Sequence, residues 1–226
     1  DSQPLSVEAQ LQLILEQKNV WGQLDEDYSD DLSYMVSDLD QDGLLEIVSA
    51  SISGTGLYTT GHFYEVNSTG DGLELCTYSI PEGDSEADLS ISDSVPCYYD
   101  AGSDTYYYIF NDTIHAGAAE YYLSSIAISL KDCTVTPQTL GTQLTIYTDP
   151  EKDPTVTYLR NDGTEISKDE FDALADAAFP NAEKKQADLV WFSPYNIDEN
   201  AKDAAALSDD DLLEQLNTSW KGFSVQ

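Results

Sequence analysis

The stretch TYYYIFNDTIHAGAAEYYLSSIAISLKDCTVTPQTL, residues 105–140, decides the fold class. It holds three segments rich in aromatic and β-branched residues, TYYYIFN, YYLSSIAISL and TVTPQTL. This composition favours β-strands. The turn at KD, residues 131–132, is far too short for a helical crossover, so the strands on either side of it pair antiparallel. Residues 105–140 therefore predict an antiparallel meander.

Short strand-like segments with turn-rich separators extend on both sides, from Leu32 to Thr148. Helical patterns flank them. At the N-terminus Ser6 can cap a helix whose apolar stripe comprises Val7, Leu11, Ile14, Leu15 and Trp21. Near the C-terminus Ser167 and Glu170 form a capping box, and Ser208 precedes an acidic first turn. The predicted class is α+β, an antiparallel β-meander layer packed by an N-terminal helix and C-terminal helices.

The best candidate for a boundary is TDPEKDP, residues 148–154, with two prolines and four charges. It divides the chain into residues 1–150, which carry the first helix and the β-sheet, and residues 151–226, which carry a strand, a turn and the last helices. Leu216 and Trp220 supply an apolar face that needs a surface to cover. We therefore expect the two parts to pack as one body.

The charge is strongly asymmetric, with 43 acidic against 9 basic side chains and a net charge of −34. Such a surface repels nucleic acids and anionic membranes and attracts divalent cations and basic proteins. No segment approaches the roughly 20 apolar residues of a membrane span. The start at Asp1 without a Met fits an export segment that has been removed. We expect a protein at the cell surface or outside the cell, with no nucleic-acid partner.

The segment SDLDQDGLLEIVSA, residues 37–50, places carboxylates at alternate positions before an apolar strand. Calcium ions bind six to eight oxygen atoms, and loops of this kind supply them from positions 1, 3, 5, a backbone carbonyl at 7, and beyond. Gly43 permits the sharp turn. The expected ligands are Asp38, Asp40, Asp42, the Leu44 carbonyl and Glu46, which replaces the missing glutamate at position 12. The alternative is a solvated acidic turn.

The residues DLDQDGLLEIV resemble the DxDxDGxxD/E loops of FG-GAP and VCBS-type β-repeats, in which strands flank a calcium loop. The chain also resembles uncharacterised secreted or lipid-anchored proteins of Gram-positive anaerobes, over residues 5–66 and 155–180. NDGTEISKDEF is similar to a strand–turn–helix of such proteins. The resemblance implies an extracytoplasmic location and a cation site, but no activity. A single loop of this kind does not indicate a propeller.

Signals of catalysis are weak. Neither His62 nor His115 lies in a recognised catalytic motif, and no carboxylate pair stands out among the 43 acids. We assign no catalytic residues. The three cysteines, Cys76, Cys97 and Cys133, allow either one disulfide with a free thiol or three reduced thiols.

Tyrosines are concentrated on what should be neighbouring strands, and four of them are candidates for a ligand surface: Tyr98, Tyr99, Tyr106 and Tyr108. Exposed rings can stack on sugars or on a protein partner. The alternative is aromatic pairing across strands that stabilises the sheet. The leading interpretation is a non-catalytic extracellular module with one structural calcium ion that binds an unidentified protein or glycan. A secreted hydrolase, acting on glycans through an unrecognised carboxylate pair, is the alternative.

Overall fold

The structure is a computed structural model that describes residues 5–23, 31–54, 58–84, 89–149 and 152–226. Its strands are β1 Asp31–Ser37, β2 Glu46–Ser53, β3 Tyr58–Val66, β4 Leu73–Leu75, β5 Thr77–Tyr78, β6 Ser94–Asp100, β7 Thr105–His115, β8 Glu120–Lys131, β9 Thr134–Ile146, β10 Thr155–Arg160, β11 Glu165–Ile166, β12 Glu183–Asp188 and β13 Ser224–Val225. Its helices are α1 Val7–Glu16, α2 Lys18–Trp21, α3 Lys168–Asp172, α4 Leu174–Ala178, α5 Pro194–Ile197 and α6 Asp209–Gly222, with a 3₁₀ turn at Ala204–Ala206.

The strands form two sheets, where the sequence predicted one layer. The small sheet has the order β1-β2-β3-β4, and the large sheet has the order β11-β10-β9-β8-β7-β6-β12-β13, with β5 added parallel to β9. All other pairings are antiparallel. The prediction of antiparallel strands from residues 105–140 is confirmed, because β7, β8 and β9 are consecutive neighbours.

Both faces of the small sheet are apolar. Successive side chains of a strand point to opposite faces. Met35 and Val48 belong to a buried cluster that also contains Tyr108 and Ile128 of the large sheet. The side chains on the other face of the same strands belong to a second buried cluster, which contains Tyr34 and Ile47. This cluster also includes four side chains of α1 and α6: Leu11, Ile14, Leu212 and Leu216. The hydrophobic core therefore extends over both sides of β1 and β2.

The β1 edge of the small sheet is covered by hydrogen bonds from the C-terminal part of the chain. Tyr34 and Phe192 exchange backbone hydrogen bonds of 2.9 and 2.8 Å. The Val36 N–H donates to Ser219 Oγ at 2.8 Å, and that hydroxyl donates to the Val190 carbonyl. An edge strand with unpaired backbone groups invites association with another chain, and these contacts prevent that for β1.

The predicted helix starts are confirmed at all three caps. Ser6, Ser167 and Ser208 each accept a backbone N–H in the first turn, and Ser167 and Glu170 form the reciprocal capping box. The helix expected after Ser167 is divided into α3 and α4 at Ala173.

The boundary predicted at residues 150 and 151 lies outside the described residues. The large sheet contains strands from both sides of it, since Ile146 of β9 pairs with Thr155 of β10. Within the part of the chain that the structure describes, no helix has the length and hydropathy that crossing a membrane requires.

Candidate metal centre

The acidic loop, residues 38–45, joins β1 to β2. The two strands pair as far as Ser37 and Glu46, so the loop closes a hairpin in the small sheet. Its sharp turn needs left-handed backbone at Gln41 (φ 60°) and Gly43 (φ 90°). Glycine adopts this conformation without steric cost, as predicted for Gly43, whereas a left-handed Gln41 is uncommon.

The three aspartates of the loop are brought together as expected. Ligand oxygens of Asp38, Asp40 and Asp42 all lie within 4.8 Å of one another. The Gly43 N–H donates to Asp38 Oδ2 at 3.2 Å, and the Leu44 N–H donates to Asp42 Oδ1 at 2.7 Å. These bonds orient the side chains. The remaining Oδ1 atoms of Asp38 and Asp40 are shielded from solvent and have no hydrogen-bond partner.

Glu46, the expected closing ligand, is fully buried at the start of β2. Its Oε2 atom accepts hydrogen bonds of 2.9 Å from Ser37 Oγ and from the Leu39 N–H. Its Oε1 atom has no partner. A buried carboxylate oxygen without a partner is costly and calls for an explanation, of which a bound cation is one.

Glu65 is a member of the cluster that the sequence did not reveal. It lies on β3 directly opposite Glu46, is only 6% exposed, and leaves its Oε2 atom without a partner. Oxygens of Asp40, Glu46 and Glu65 lie within 4.8 Å of one another. Asp40 therefore belongs to both groups of three, and it links the acidic loop to the buried glutamate pair. We call Asp38, Asp40, Asp42, Glu46 and Glu65 the acidic cluster.

Four carboxylates of the cluster, those of Asp38, Asp40, Glu46 and Glu65, have raised pKa values. Burial, with added repulsion from neighbouring carboxylates, raises the pKa of Asp38 to about 6, of Asp40 to about 7 and of Glu65 to about 8. Burial raises the pKa of Glu46 well above its ordinary value too. None of the ion pairs among the described residues involves a carboxylate of the acidic cluster. A cation in the cluster would relieve this repulsion and displace the protons.

Two buried side chains fix the acidic loop from opposite sides. Gln10 of α1 donates from Nε2 to the Gly43 carbonyl at 2.9 Å and accepts from the Leu45 N–H at 2.8 Å. Tyr108 of the large sheet donates its hydroxyl proton to the Leu39 carbonyl at 2.6 Å. The loop is thereby held in place by its surroundings before any ion binds. Neither contact was predicted, because both join residues far apart in sequence.

Two of the four tyrosines predicted to form a ligand surface are buried, which corrects that prediction. Tyr108 is completely buried and Tyr98 is 3% exposed, so neither can face a ligand. Tyr98 packs on Phe179, and its hydroxyl donates to Asp176. Only Tyr99 and Tyr106 remain partly exposed, with ring centroids 4.5 Å apart in a stacked pair across two strands.

None of the groups of potential metal ligands among the described residues contains a histidine, whereas Cys76 and Cys133 form a third group with Glu65 of the acidic cluster. His62 is exposed on β3, and the ring of His115 packs edge-on against Tyr121. Burial raises the pKa of all three thiols, to about 11 for Cys133 and about 12 for Cys97. This direction is opposite to the one that activates a cysteine nucleophile.

Comparison with protein-family models, curated proteins and solved structures gives no significant match. The function is therefore argued from the geometry of the acidic cluster.

Proposed function

We propose that the protein is a non-catalytic extracellular or cell-surface module whose acidic cluster binds one structural Ca²⁺. The observation that carries this proposal is the pair of buried, unpartnered oxygens on Glu46 and Glu65, which share their surroundings with Asp40. An acidic turn on a surface explains exposed carboxylates, but it does not explain two glutamates buried on paired strands. A cation does, because buried charges persist when they are paired or bind a metal.

The ligand set favours Ca²⁺ over other ions. All its side-chain ligands are carboxylates, which suit hard cations and not thiolate-preferring metals. Oxygens bound to one Ca²⁺ at about 2.4 Å lie at most about 4.8 Å apart, and each group of three meets this condition separately, with Asp40 common to both. Ca²⁺ also tolerates irregular geometry, whereas Mg²⁺ demands a near-ideal octahedron. The proposed ligands are the acidic cluster and the Leu44 carbonyl.

The ion in this proposal has a structural role. It joins the β1–β2 hairpin to β3 and lies beside residues already fixed by Gln10 and Tyr108. Extracellular calcium modules bind at about 10⁻⁴ to 10⁻³ M, a range that is saturated outside cells. We therefore place the protein outside the cell or on its surface. We also infer that α1 and α6 form one layer over the small sheet, which is supported by their shared buried cluster.

The hydrolase alternative requires a carboxylate pair that a substrate can reach. Glu46 and Glu65 have the raised pKa values of a general acid, but they are 0% and 6% exposed. The surface pockets beside Arg160 and beside Pro180 are lined by other residues. For a binding role, the remaining candidate surface is the stacked pair of Tyr99 and Tyr106, which suits a sugar ring or an apolar protein side chain.

Titration calorimetry on metal-stripped protein tests the calcium proposal. We expect one Ca²⁺ per chain with a Kd of about 10⁻⁴ to 10⁻³ M. Asp40 belongs to both groups of carboxylates, so the Asp40→Asn variant should lose calcium binding. Asp153→Asn removes the same charge from an exposed position and should bind as the parent does. A parent that takes up no Ca²⁺, or an Asp40→Asn variant that binds equally well, would overturn the proposal.

A further inference from the structure

Cys76 lies where the chain passes from one sheet to the other. It follows β4 of the small sheet and precedes β5 of the large sheet. Its N–H donates to the Phe63 carbonyl in the small sheet at 2.9 Å. The next N–H, of Thr77, donates to the Cys133 carbonyl at 3.1 Å. Cys76 is buried, whereas Cys133 is partly exposed.

The strand register places the two cysteines side by side. Thr77 of β5 is the partner of Thr134 of β9 in the parallel pairing. Cys76 and Cys133 each come one residue earlier, so they also face one another across these two segments of the chain. Their Sγ atoms are 2.7 Å apart. Cys97 lies on β6, opposite Tyr108 and Lys185, and is fully buried.

The two cysteines are free thiols in the structure, with Cys133 donating to Cys76. Two sulfurs this close can also share a metal ion or form a covalent bond. Thiolates on one tetrahedral Zn²⁺, each at about 2.3 Å, stand about 3.8 Å apart. The sulfurs of Cys76 and Cys133 are closer than that. We propose that Cys76 and Cys133 form a disulfide that joins the two sheets next to Glu65, while Cys97 remains a thiol.

The bond forms by exchange with a small-molecule disulfide such as oxidised glutathione. The more exposed Cys133 reacts first, through the small fraction of its thiol that is ionised, which increases as the pH rises. This thiolate attacks one glutathione sulfur, the glutathione disulfide bond breaks, and one glutathione thiolate leaves. The Cys76 thiolate then attacks Sγ of Cys133, and the second glutathione thiolate leaves. The two cysteines are oxidised, the glutathione disulfide is reduced, and the two thiol protons end on the two glutathione molecules.

The proposed bond is independent of calcium. It joins two cysteines that are 57 positions apart, and the loop that it closes reduces the entropy of the unfolded state. It also suits a protein in an oxidising compartment. We expect oxidation to raise the melting temperature by about 5–15 °C.

Peptide mapping of the intact protein tests the pairing. Reduced protein is incubated with oxidised glutathione, quenched in acid, and alkylated in denaturant. Cleavage before Asp84 and Asp93 separates Cys76 from Cys97. We expect one cross-linked peptide pair that joins Cys76 to Cys133, and an alkylated Cys97. The proposal is overturned by three alkylated thiols, by a stable glutathione adduct on Cys133, or by any bond to Cys97.

Two variants support the assignment. Cys97→Ala should form the same cross-link, and Cys133→Ser should leave Cys76 alkylated. Oxidised glutathione should raise the melting temperature of the parent and leave that of Cys133→Ser unchanged. An equal rise in both proteins would show that the stabilisation does not come from this bond.

Discussion

Glu46 and Glu65 face each other across two antiparallel strands, and both are buried. Each has a carboxylate oxygen that no hydrogen-bond donor among the described residues reaches. Like charges directly opposite in a sheet are destabilising, and burial removes the water that would screen them. The pair is tolerated only if protons or a cation neutralise it. We therefore predict that stability depends on both calcium and pH.

Removal of calcium should lower the melting temperature. At a calcium concentration ten times the Kd, binding contributes about 1.4 kcal/mol to the free energy of unfolding. For a chain of this length that corresponds to about 3–6 °C. The measurement is a thermal melt with EDTA, with excess Ca²⁺, and with excess Mg²⁺, which should substitute poorly. Superimposable melts in EDTA and Ca²⁺ would identify the loop as an acidic turn.

Glu65→Gln should change stability in opposite directions with and without calcium. In EDTA it removes a buried like charge, so the variant should equal or exceed the parent in stability at pH 8. In Ca²⁺ it lacks a ligand, so the variant should gain less than half of the calcium-dependent stabilisation of the parent. Glu199→Gln, which neutralises an exposed glutamate, is the matched control and should behave as the parent does in both conditions. A full calcium response in Glu65→Gln would exclude Glu65 as a ligand.

The metal-free protein should lose stability as the pH rises from 5 to 8. The folded-state pKa values of Asp38, Asp40 and Glu65 are raised to about 6, 7 and 8, above the ordinary values near 4. The folded state then binds more protons than the unfolded state over this interval. The added free energy of unfolding is therefore fully present below pH 4 and is lost as the pH rises through the folded-state pKa values. Saturating Ca²⁺ should flatten the profile, because ligands are ionised when bound.

The contribution of the cluster to that profile is isolated by a double variant, Glu46→Gln with Glu65→Gln. Melting temperatures from pH 5 to 8 in EDTA should fall less steeply for this variant than for the parent. Calorimetry in two buffers of different ionisation enthalpy should also show protons released by the parent on calcium binding. No proton release at pH 7 would contradict the raised pKa values.

The sequence predicted most of the acidic loop but only part of the cluster. Asp38, Asp40, Asp42 and Glu46 were proposed as ligands because the expected calcium loop has a local spacing, and the structure places each of them in a group of three carboxylates. Glu65 was missed because its place depends on the register between β2 and β3, which no local pattern specifies. An acidic residue inside the apolar segment GHFYEV was the signal available. Tyr108 was assigned to a ligand surface, although its hydroxyl instead fixes the loop from the other sheet.

Fold prediction succeeded and failed for similar reasons. Strands with strong β-branched and aromatic composition, such as β7 and β8, were found. The strand β12 was missed because its sequence, EKKQAD, is charged and gains its place by pairing with β6 and β13. The sequence also did not predict the division into two sheets, because the chain changes sheet at Cys76 without a break in strand-like sequence. Tertiary context overrides local preference in both cases.

The C-terminal helix should be essential for the stability of the small sheet. Leu216 of α6 is fully buried in the cluster with Tyr34 and Ile47. Leu216→Ala should lower the free energy of unfolding by about 2–5 kcal/mol, whereas Leu213→Ala, at a half-buried position of the same helix, should cost less. Truncation after residue 207 should destabilise the whole protein. An unchanged melt of the truncated chain would show that residues 151–226 are a separate unit.

Tyr108→Phe should weaken calcium binding through the loop and without removing a ligand. The hydroxyl of Tyr108 donates to the Leu39 carbonyl inside the core, and the Leu39 N–H in turn donates to Glu46 Oε2. Loss of the hydroxyl leaves a buried carbonyl unpaired, at a cost of about 1–3 kcal/mol in stability. It also loosens Leu39, whose N–H orients Glu46, so the Kd should rise several-fold while one ion still binds. Tyr106→Phe, on the same strand face but outside the loop contacts, is the control and should leave the Kd unchanged. Equal affinity in the parent and Tyr108→Phe would show that the Tyr108 hydroxyl does not contribute to calcium binding.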